Sequence, residues 1–135
     1  MIYLDTSALV KLIRIEVGSD DLGDWLDERT EMPWITSVLA EIELPRAIWA
    51  VAPEGLSAVP SVLARLDRFE IDPVIRATAA AYPDPGLHSL DAIHLATAQT
   101  AASTAPLTAL VTYESRLSQA ADAMGMTVVA PGNVP

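Results

Sequence analysis

The stretch Ser89-Leu90-Asp91-Ala92-Ile93-His94-Leu95-Ala96-Thr97-Ala98 is almost entirely apolar, apart from one carboxylate near its start. This pattern predicts a helix in which Ser89 is the N-cap and Asp91 lies in the first turn. A negative charge there is stabilised by the positive end of the helix, so Asp91 has an ordinary structural explanation. A functional explanation requires other acids to reach the same place.

The composition favours a small acidic α/β protein without disulfides. The chain has 135 residues, a formal net charge of −10 and no cysteine. This length predicts a single domain over residues 1–135. The low number of basic residues excludes a broad positive surface for nucleic acid, and the absence of cysteine suits a reducing cytoplasm. A mean hydropathy of +0.32 is high for a small soluble monomer, so we expect a partner to cover some apolar surface.

Short apolar strands alternate with helices along the chain. The predicted strands are 2–4, 34–36, 69–72, 110–112 and 127–130. The predicted helices besides the one at Ser89 are 8–13, 38–52, 57–68, 73–81 and 114–124, and Leu22, Trp25 and Leu26 form a further helical stripe after Gly18-Ser19. Pro45 is expected to kink the second of these helices or to end it early, because proline removes a backbone hydrogen bond. The alternation predicts a parallel sheet with helices on both faces.

Four isolated acids are predicted to meet at the carboxyl edge of this sheet, where α/β proteins bind ligands. Asp5 ends the first strand, and Glu114 follows a later strand by two residues. Asp91 lies at the start of a helix that leads into a parallel strand, which places it at the same edge. Glu43 is about 9 Å along its helix from Ser37, at 1.5 Å per residue, and can still reach the edge.

Carboxylates that converge with no nearby lysine repel one another unless a proton or a cation neutralises them. Hard oxygen ligands select Mg²⁺ or Mn²⁺, which polarise phosphodiesters and activate water. The pattern therefore indicates a metal-dependent nuclease. Without metal, the repulsion is expected to destabilise the protein, so Asp91→Asn is expected to raise its melting temperature.

The chain resembles the PIN-domain ribonucleases, and more closely the VapC-type toxins of bacterial toxin–antitoxin pairs. The resemblance rests on four ordered segments, which are Tyr3-Leu4-Asp5-Thr6-Ser7-Ala8, Glu43-Leu44-Pro45-Arg46-Ala47 after Thr36-Ser37, Leu90-Asp91-Ala92-Ile93-His94-Leu95-Ala96, and Val111-Thr112-Tyr113-Glu114-Ser115-Arg116-Leu117. It implies an α/β/α sandwich around a five-stranded parallel sheet and endonucleolytic cleavage of RNA. It also implies a cognate antitoxin, and either a homodimer or a hetero-oligomer of toxin and antitoxin.

The resemblance further implies that carboxylates matching Asp5, Glu43, Asp91 and Glu114 hold Mg²⁺ or Mn²⁺ and carry catalysis. Two features depart from the family pattern. Glu114 stands where such toxins usually carry aspartate, and Pro45 is unusual within the Glu43 segment.

Each candidate residue also has a structural interpretation. Asp5 could be a helix cap, Glu43 could pair with Arg46, and Glu114 could be an acid favoured by the helix dipole. His94 is more typical of a packed core histidine than of a base. Ser7 and Thr112 could orient the carboxylates.

For Arg14, Arg46 and Arg116, ion pairing or solvation is favoured over phosphate binding. The alternative function is a catalytically weak or inactive PIN-like module that binds RNA or protein.

Overall fold

The computed structural model describes residues 1–133. Five parallel strands form the sheet, namely β1 (Ile2–Leu4), β2 (Trp34–Ser37), β3 (Asp67–Phe69), β4 (Ala109–Val111) and β5 (Val128–Val129). Their order across the sheet is β3-β2-β1-β4-β5. The helices are α1 (Thr6–Lys11), α2 (Ser19–Asp27), α3 (Ala40–Val51), α4 (Val59–Ala64), α5 (Pro73–Ala81), α6 (Ser89–Ala102) and α7 (Ser115–Ala123), with a 3₁₀ turn at Pro53–Ala58.

The central strand β1 is buried on both faces, because helices cover both sides of the sheet. Ile2 and Leu4 pack into one core with α1 to α4, whereas Tyr3 packs into the opposite core with residues of α6 and α7. All three side chains are fully buried. This two-sided burial is typical of parallel sheets and explains the continuous apolar run of the strand. The predicted α/β/α sandwich around a five-stranded parallel sheet is therefore confirmed.

The strand register brings the ends of β1 and β4 side by side. Leu4 is aligned with Val111, so the residues that follow them, Asp5 and Thr112, are neighbours at the carboxyl edge. The backbone N–H of Asp5 donates to the Val111 carbonyl (3.2 Å), which continues the pairing beyond the strand. Asp5 and Thr112 thus lie in the middle of the carboxyl edge that the sequence predicts as the binding site.

Several element boundaries differ from prediction for local reasons. Helix α1 starts at Thr6, two residues earlier than predicted, because Asp5 caps it. Strand β3 is Asp67–Phe69 and not 69–72, since the Asp72 side chain accepts a hydrogen bond from the Ile75 N–H (2.8 Å) and so caps α5. Because β3 begins at Asp67, helix α4 ends at Ala64 and not at the predicted residue 68.

Helix α3 does not end early at Pro45. It runs unbroken over Ala40–Val51, so the predicted early boundary is wrong. The sequence also suggests Ser37 as the cap of this helix, but the N-cap is Leu39, and Ser37 only accepts a hydrogen bond from the Leu39 N–H (3.0 Å). Within residues 1–133, none of the helices has the length and apolar character needed to cross a membrane.

Candidate active site at the carboxyl edge of the sheet

Asp5 is a buried carboxylate with three hydrogen-bond donors. Its Oδ1 accepts from the Ser7 hydroxyl (2.6 Å) and from the Ala8 N–H (3.1 Å), and its Oδ2 accepts from the Thr112 hydroxyl (2.6 Å). Burial raises the pKa of Asp5, against the opposing effects of the His94 charge and of these hydrogen bonds. Asp5 therefore does cap α1, as its structural interpretation required. The cap uses Oδ1, and Oδ2 keeps a lone pair for another ligand.

Two hydroxyl groups fix the orientation of Asp5, as the sequence suggested for Ser7 and Thr112. The Ser7 oxygen also accepts from the Tyr113 N–H (2.8 Å), and the Thr112 oxygen accepts from the Glu114 N–H (3.0 Å). Both hydroxyls therefore tie the loop after β4 to Asp5. The same contacts hold the backbone of Glu114 close to the Asp5 carboxylate.

Glu43 reaches the edge from α3 and does not pair with Arg46. Its Oε1 accepts hydrogen bonds from the Thr6 hydroxyl (2.7 Å) and from His94 Nε2 (2.7 Å). Partial burial acts to raise the pKa of Glu43, but the His94 hydrogen bond and charge and the Thr6 hydrogen bond together lower it. Glu43 is therefore held as an ionised carboxylate.

His94 is buried, as its core interpretation predicted, but its contact with Glu43 was not anticipated from the sequence. Its ring is buried, and Nδ1 lies 2.7 Å from the hydroxyl of the fully buried Tyr3. Because ionised Glu43 can only accept, Nε2 carries a proton. The Tyr3 hydroxyl donates to Nδ1 when the ring is neutral and accepts from it when the ring is charged. The signal in the sequence was spacing, since residues three apart on a helix share a face and His94 follows Asp91 by three.

Asp91 and Glu114 share one arginine. Arg116 Nε lies 3.1 Å from Asp91 Oδ2, and Arg116 Nη1 lies 3.2 Å from Glu114 Oε1. Asp91 is in the first turn of α6 as predicted, but the N-cap is His88 and not Ser89, so that prediction is corrected. Glu114 is the N-cap of α7 and accepts weakly from the Arg116 N–H (3.4 Å). The ion-paired interpretation of Arg116 is therefore correct.

The four acids are linked only indirectly. Glu43 accepts from Thr6, which follows Asp5 in the chain, and Asp5 accepts from Thr112, whose hydroxyl accepts from the backbone N–H of Glu114. Arg116 completes the path to Asp91. In the described part of the chain, no group of three or more His, Cys, Asp and Glu side chains is arranged to hold a metal ion.

The predicted repulsion is relieved differently from expectation. His94 pairs with Glu43, and Arg116 pairs with both Asp91 and Glu114, so three of the four acids have a cationic or protonatable partner. Asp5 pairs with no lysine or arginine within residues 1–133 and relies on neutral donors.

The donor set, four carboxylates at one edge, fits Mg²⁺ or Mn²⁺ chemically, because both ions prefer oxygen ligands. Direct ligation by Asp91 and Glu114 through the oxygens that now face Arg116 would require that arginine to move.

Comparisons with known proteins agree with this fold. The model of the PIN domain matches residues 2–123. The chain is 77% identical over 132 residues to Ribonuclease VapC35 of Mycobacterium tuberculosis, covering 98% of both chains. It is 41% identical over 130 residues to Ribonuclease VapC46 of the same organism, covering 96% of this chain and 97% of that protein. The solved structure of FitAcB from Neisseria gonorrhoeae is similar in fold, with a TM-score of 0.73 at 20% identity over 99% of this chain and 100% of that chain.

Proposed function

The chain belongs to the PIN-domain family and within it to the VapC ribonucleases, and we propose that it cleaves RNA with Mg²⁺ or Mn²⁺ held by Asp5, Glu43, Asp91 and Glu114. It is an endoribonuclease of the toxin class. The observation that carries the metal proposal is the buried Asp5 at the carboxyl edge, which accepts a hydrogen bond from Thr112 beside the backbone N–H of Glu114 and pairs with no lysine or arginine within residues 1–133. An ion bound there supplies Lewis-acid chemistry, which polarises the phosphodiester and activates water.

The roles of the surrounding side chains follow from their contacts. Ser7 and Thr112 donate to the two oxygens of Asp5, which fixes its rotamer and leaves Oδ2 a lone pair for a further ligand. His94 and Thr6 do the same for Glu43 by donating to one oxygen, which leaves Oε2 for a ligand. Such partners typically orient metal ligands and support their affinity. We assign these residues positioning roles and reserve catalytic roles for the four acids.

An acidic protein needs help to bind RNA, which is itself a polyanion. The net charge of −10 repels phosphate at long range. A divalent ion held by these acids would neutralise part of their negative charge and would offer the phosphodiester oxygens a positive point of attachment. This explains why a ribonuclease can function without a broad basic surface.

The inhibiting partner is proposed to be a small cognate antitoxin. An apolar groove of about 240 Å³ lies beside α1 and α4, and its lining includes Leu9, Leu12, Trp34 and Val62. We propose that antitoxin side chains fill this groove and that an antitoxin arginine binds the acids, because its fork matches a carboxylate. The protein is expected to bind such a partner tightly when the neighbouring gene product is co-expressed, and a failure to bind it would contradict the assignment.

A homodimer is proposed from the exposed face of α3. Ile42 is 62% exposed and Trp49 is 68% exposed, and these residues are seven apart on the same face of the helix. Trp49→Asp is expected to shift the purified protein toward a monomer in sedimentation.

The action of the protein on cellular RNA, together with the absence of cysteine, supports a cytoplasmic location.

The decisive experiment is cleavage of end-labelled RNA by purified protein with Mg²⁺, with Mn²⁺ or with chelator. We expect cleavage only with metal and a loss of cleavage in Asp5→Asn and Asp91→Asn. The matched control is Asp122→Asn, which makes the same chemical change at an exposed position near the end of α7. RNA binding without cleavage by wild type under all metal conditions would instead support the alternative of an inactive binding module.

A further inference from the structure

Arg116 is the one arginine that contacts the acids of the candidate site within residues 1–133. Its guanidinium bridges two elements, because Nε faces Asp91 on α6 and Nη1 faces Glu114 at the start of α7. The side chain of Asp91 is 14% exposed and that of Glu114 is 33% exposed, so their charges are partly shielded from water. Arg116 itself is 44% exposed, so its side chain borders solvent.

The position of this guanidinium conflicts with a divalent ion. The oxygens that it binds, Asp91 Oδ2 and Glu114 Oε1, belong to two of the four acids that the proposed function assigns to the metal. An ion between those carboxylates would lie beside the guanidinium, and the two positive charges would repel. The acid pair therefore has one cation partner in the described residues, and a metal would be a second.

We propose, on the basis of the proposed function, that Arg116 is a displaceable counter-ion which occupies the metal position between Asp91 and Glu114 and must swing away when Mg²⁺ or Mn²⁺ binds. Arg116 and the ion then compete for the same two carboxylates. The pairing stabilises the empty site, and it weakens metal binding by the free energy of the ion pairs that have to be broken. Arg116 therefore acts on Asp91 and Glu114 in the metal-free protein and has no catalytic role in this proposal.

This competition predicts the direction of the change in metal affinity. Arg116→Ala leaves Asp91 and Glu114 unpaired, so Mn²⁺ should bind roughly three- to tenfold more tightly, as expected from the loss of two partly exposed ion pairs. Arg116→Gln should behave in the same way, because it also lacks the positive charge. Arg116→Lys keeps a cation without the fork and should fall between Ala and wild type.

Arg14→Ala is the matched control. Arg14 is 45% exposed, it makes one ion pair with Glu16, and it contacts none of the four acids. Its removal changes the net charge by the same amount, so any general effect of charge on Mn²⁺ binding appears in both variants. The difference between Arg116→Ala and Arg14→Ala isolates the local competition.

The test measures free Mn²⁺ by electron paramagnetic resonance in a titration of metal-free protein, together with melting temperatures in chelator and in excess Mn²⁺. We expect tighter binding for Arg116→Ala than for Arg14→Ala, a lower melting temperature in chelator and a larger gain on adding Mn²⁺. Equal affinities for the two variants, or weaker binding in Arg116→Ala, would overturn the proposal while Mn²⁺ binding lost in Asp91→Asn still supported the metal site. An absence of Mn²⁺ binding by wild type would overturn the metal site and this inference together.

Discussion

Replacement of His94 by leucine tests whether the buried pair of His94 and Tyr3 holds Glu43 in place. The variant loses the hydrogen bond to ionised Glu43, and bonds to charged groups contribute about 1.5–3 kcal/mol. It also removes the histidine partner of the fully buried Tyr3 hydroxyl, which costs about 0.5–1.5 kcal/mol because Thr36 and Thr97 remain as hydrogen-bonding neighbours. Glu43 is 21% exposed and can recover some hydration, so we expect a total loss of about 2–4 kcal/mol.

Tyr3→Phe separates the two contributions because its effect should be smaller in His94→Leu than in wild type. In wild type it removes a hydrogen bond and leaves His94 Nδ1 unpaired, so stability should fall by about 1–2 kcal/mol. In His94→Leu the hydroxyl has already lost its histidine partner and keeps only its contacts with Thr36 and Thr97, so stability should fall by less than about 1 kcal/mol. A double-mutant cycle of this kind isolates the interaction between the two side chains.

The assay is urea unfolding at neutral pH in chelator, so that metal does not contribute. His88→Leu is the control, because it makes the same substitution at the exposed N-cap of α6, where the side chain makes no capping hydrogen bond. It should change stability by no more than about 0.5 kcal/mol. If Tyr3→Phe lowers stability equally in wild type and in His94→Leu, then the two side chains are not coupled and the proposed support of Glu43 is wrong.

Three further substitutions probe the acids themselves. Burial raises the pKa of Asp5, so ionisation of this carboxyl opposes folding above about pH 4. Metal-free Asp5→Asn should therefore be more stable than wild type at pH 7 but not in acid. Equal unfolding midpoints of the two proteins at pH 7 would contradict this expectation. The pKa of Glu43 is lowered, so ionisation of this carboxyl stabilises the folded protein, and Glu43→Gln should lose about 1–2 kcal/mol of stability at pH 7. The difference from wild type should vanish as the pH falls through the lowered pKa. Urea unfolding at a series of pH values measures this. Metal-free Asp91→Asn should melt below wild type, because it loses the Arg116 pair, worth up to about 1 kcal/mol, and a higher melting temperature would restore the repulsion argument.

The sequence determined the layers of the fold and the carboxyl edge of the sheet near which the acids lie. Short apolar runs that end in capping residues alternate with helices, and a parallel sheet follows because each crossover returns the chain to the same direction. The position of Asp5 immediately after an apolar run was enough to assign it to the carboxyl edge. Such inferences succeed because they depend on local patterns and on chain direction.

The partners of the acids were decided only by the tertiary structure. His94 and Glu43 are 51 residues apart, and Thr112 and Asp5 are 107 apart, so no local pattern links them. The sequence suggested that Glu43 could pair with its neighbour Arg46, and it expected unrelieved repulsion among the acids. The folded chain instead brings a buried histidine to Glu43. Side-chain pairing depends on strand register and helix packing, and these become fixed only when distant segments share one core.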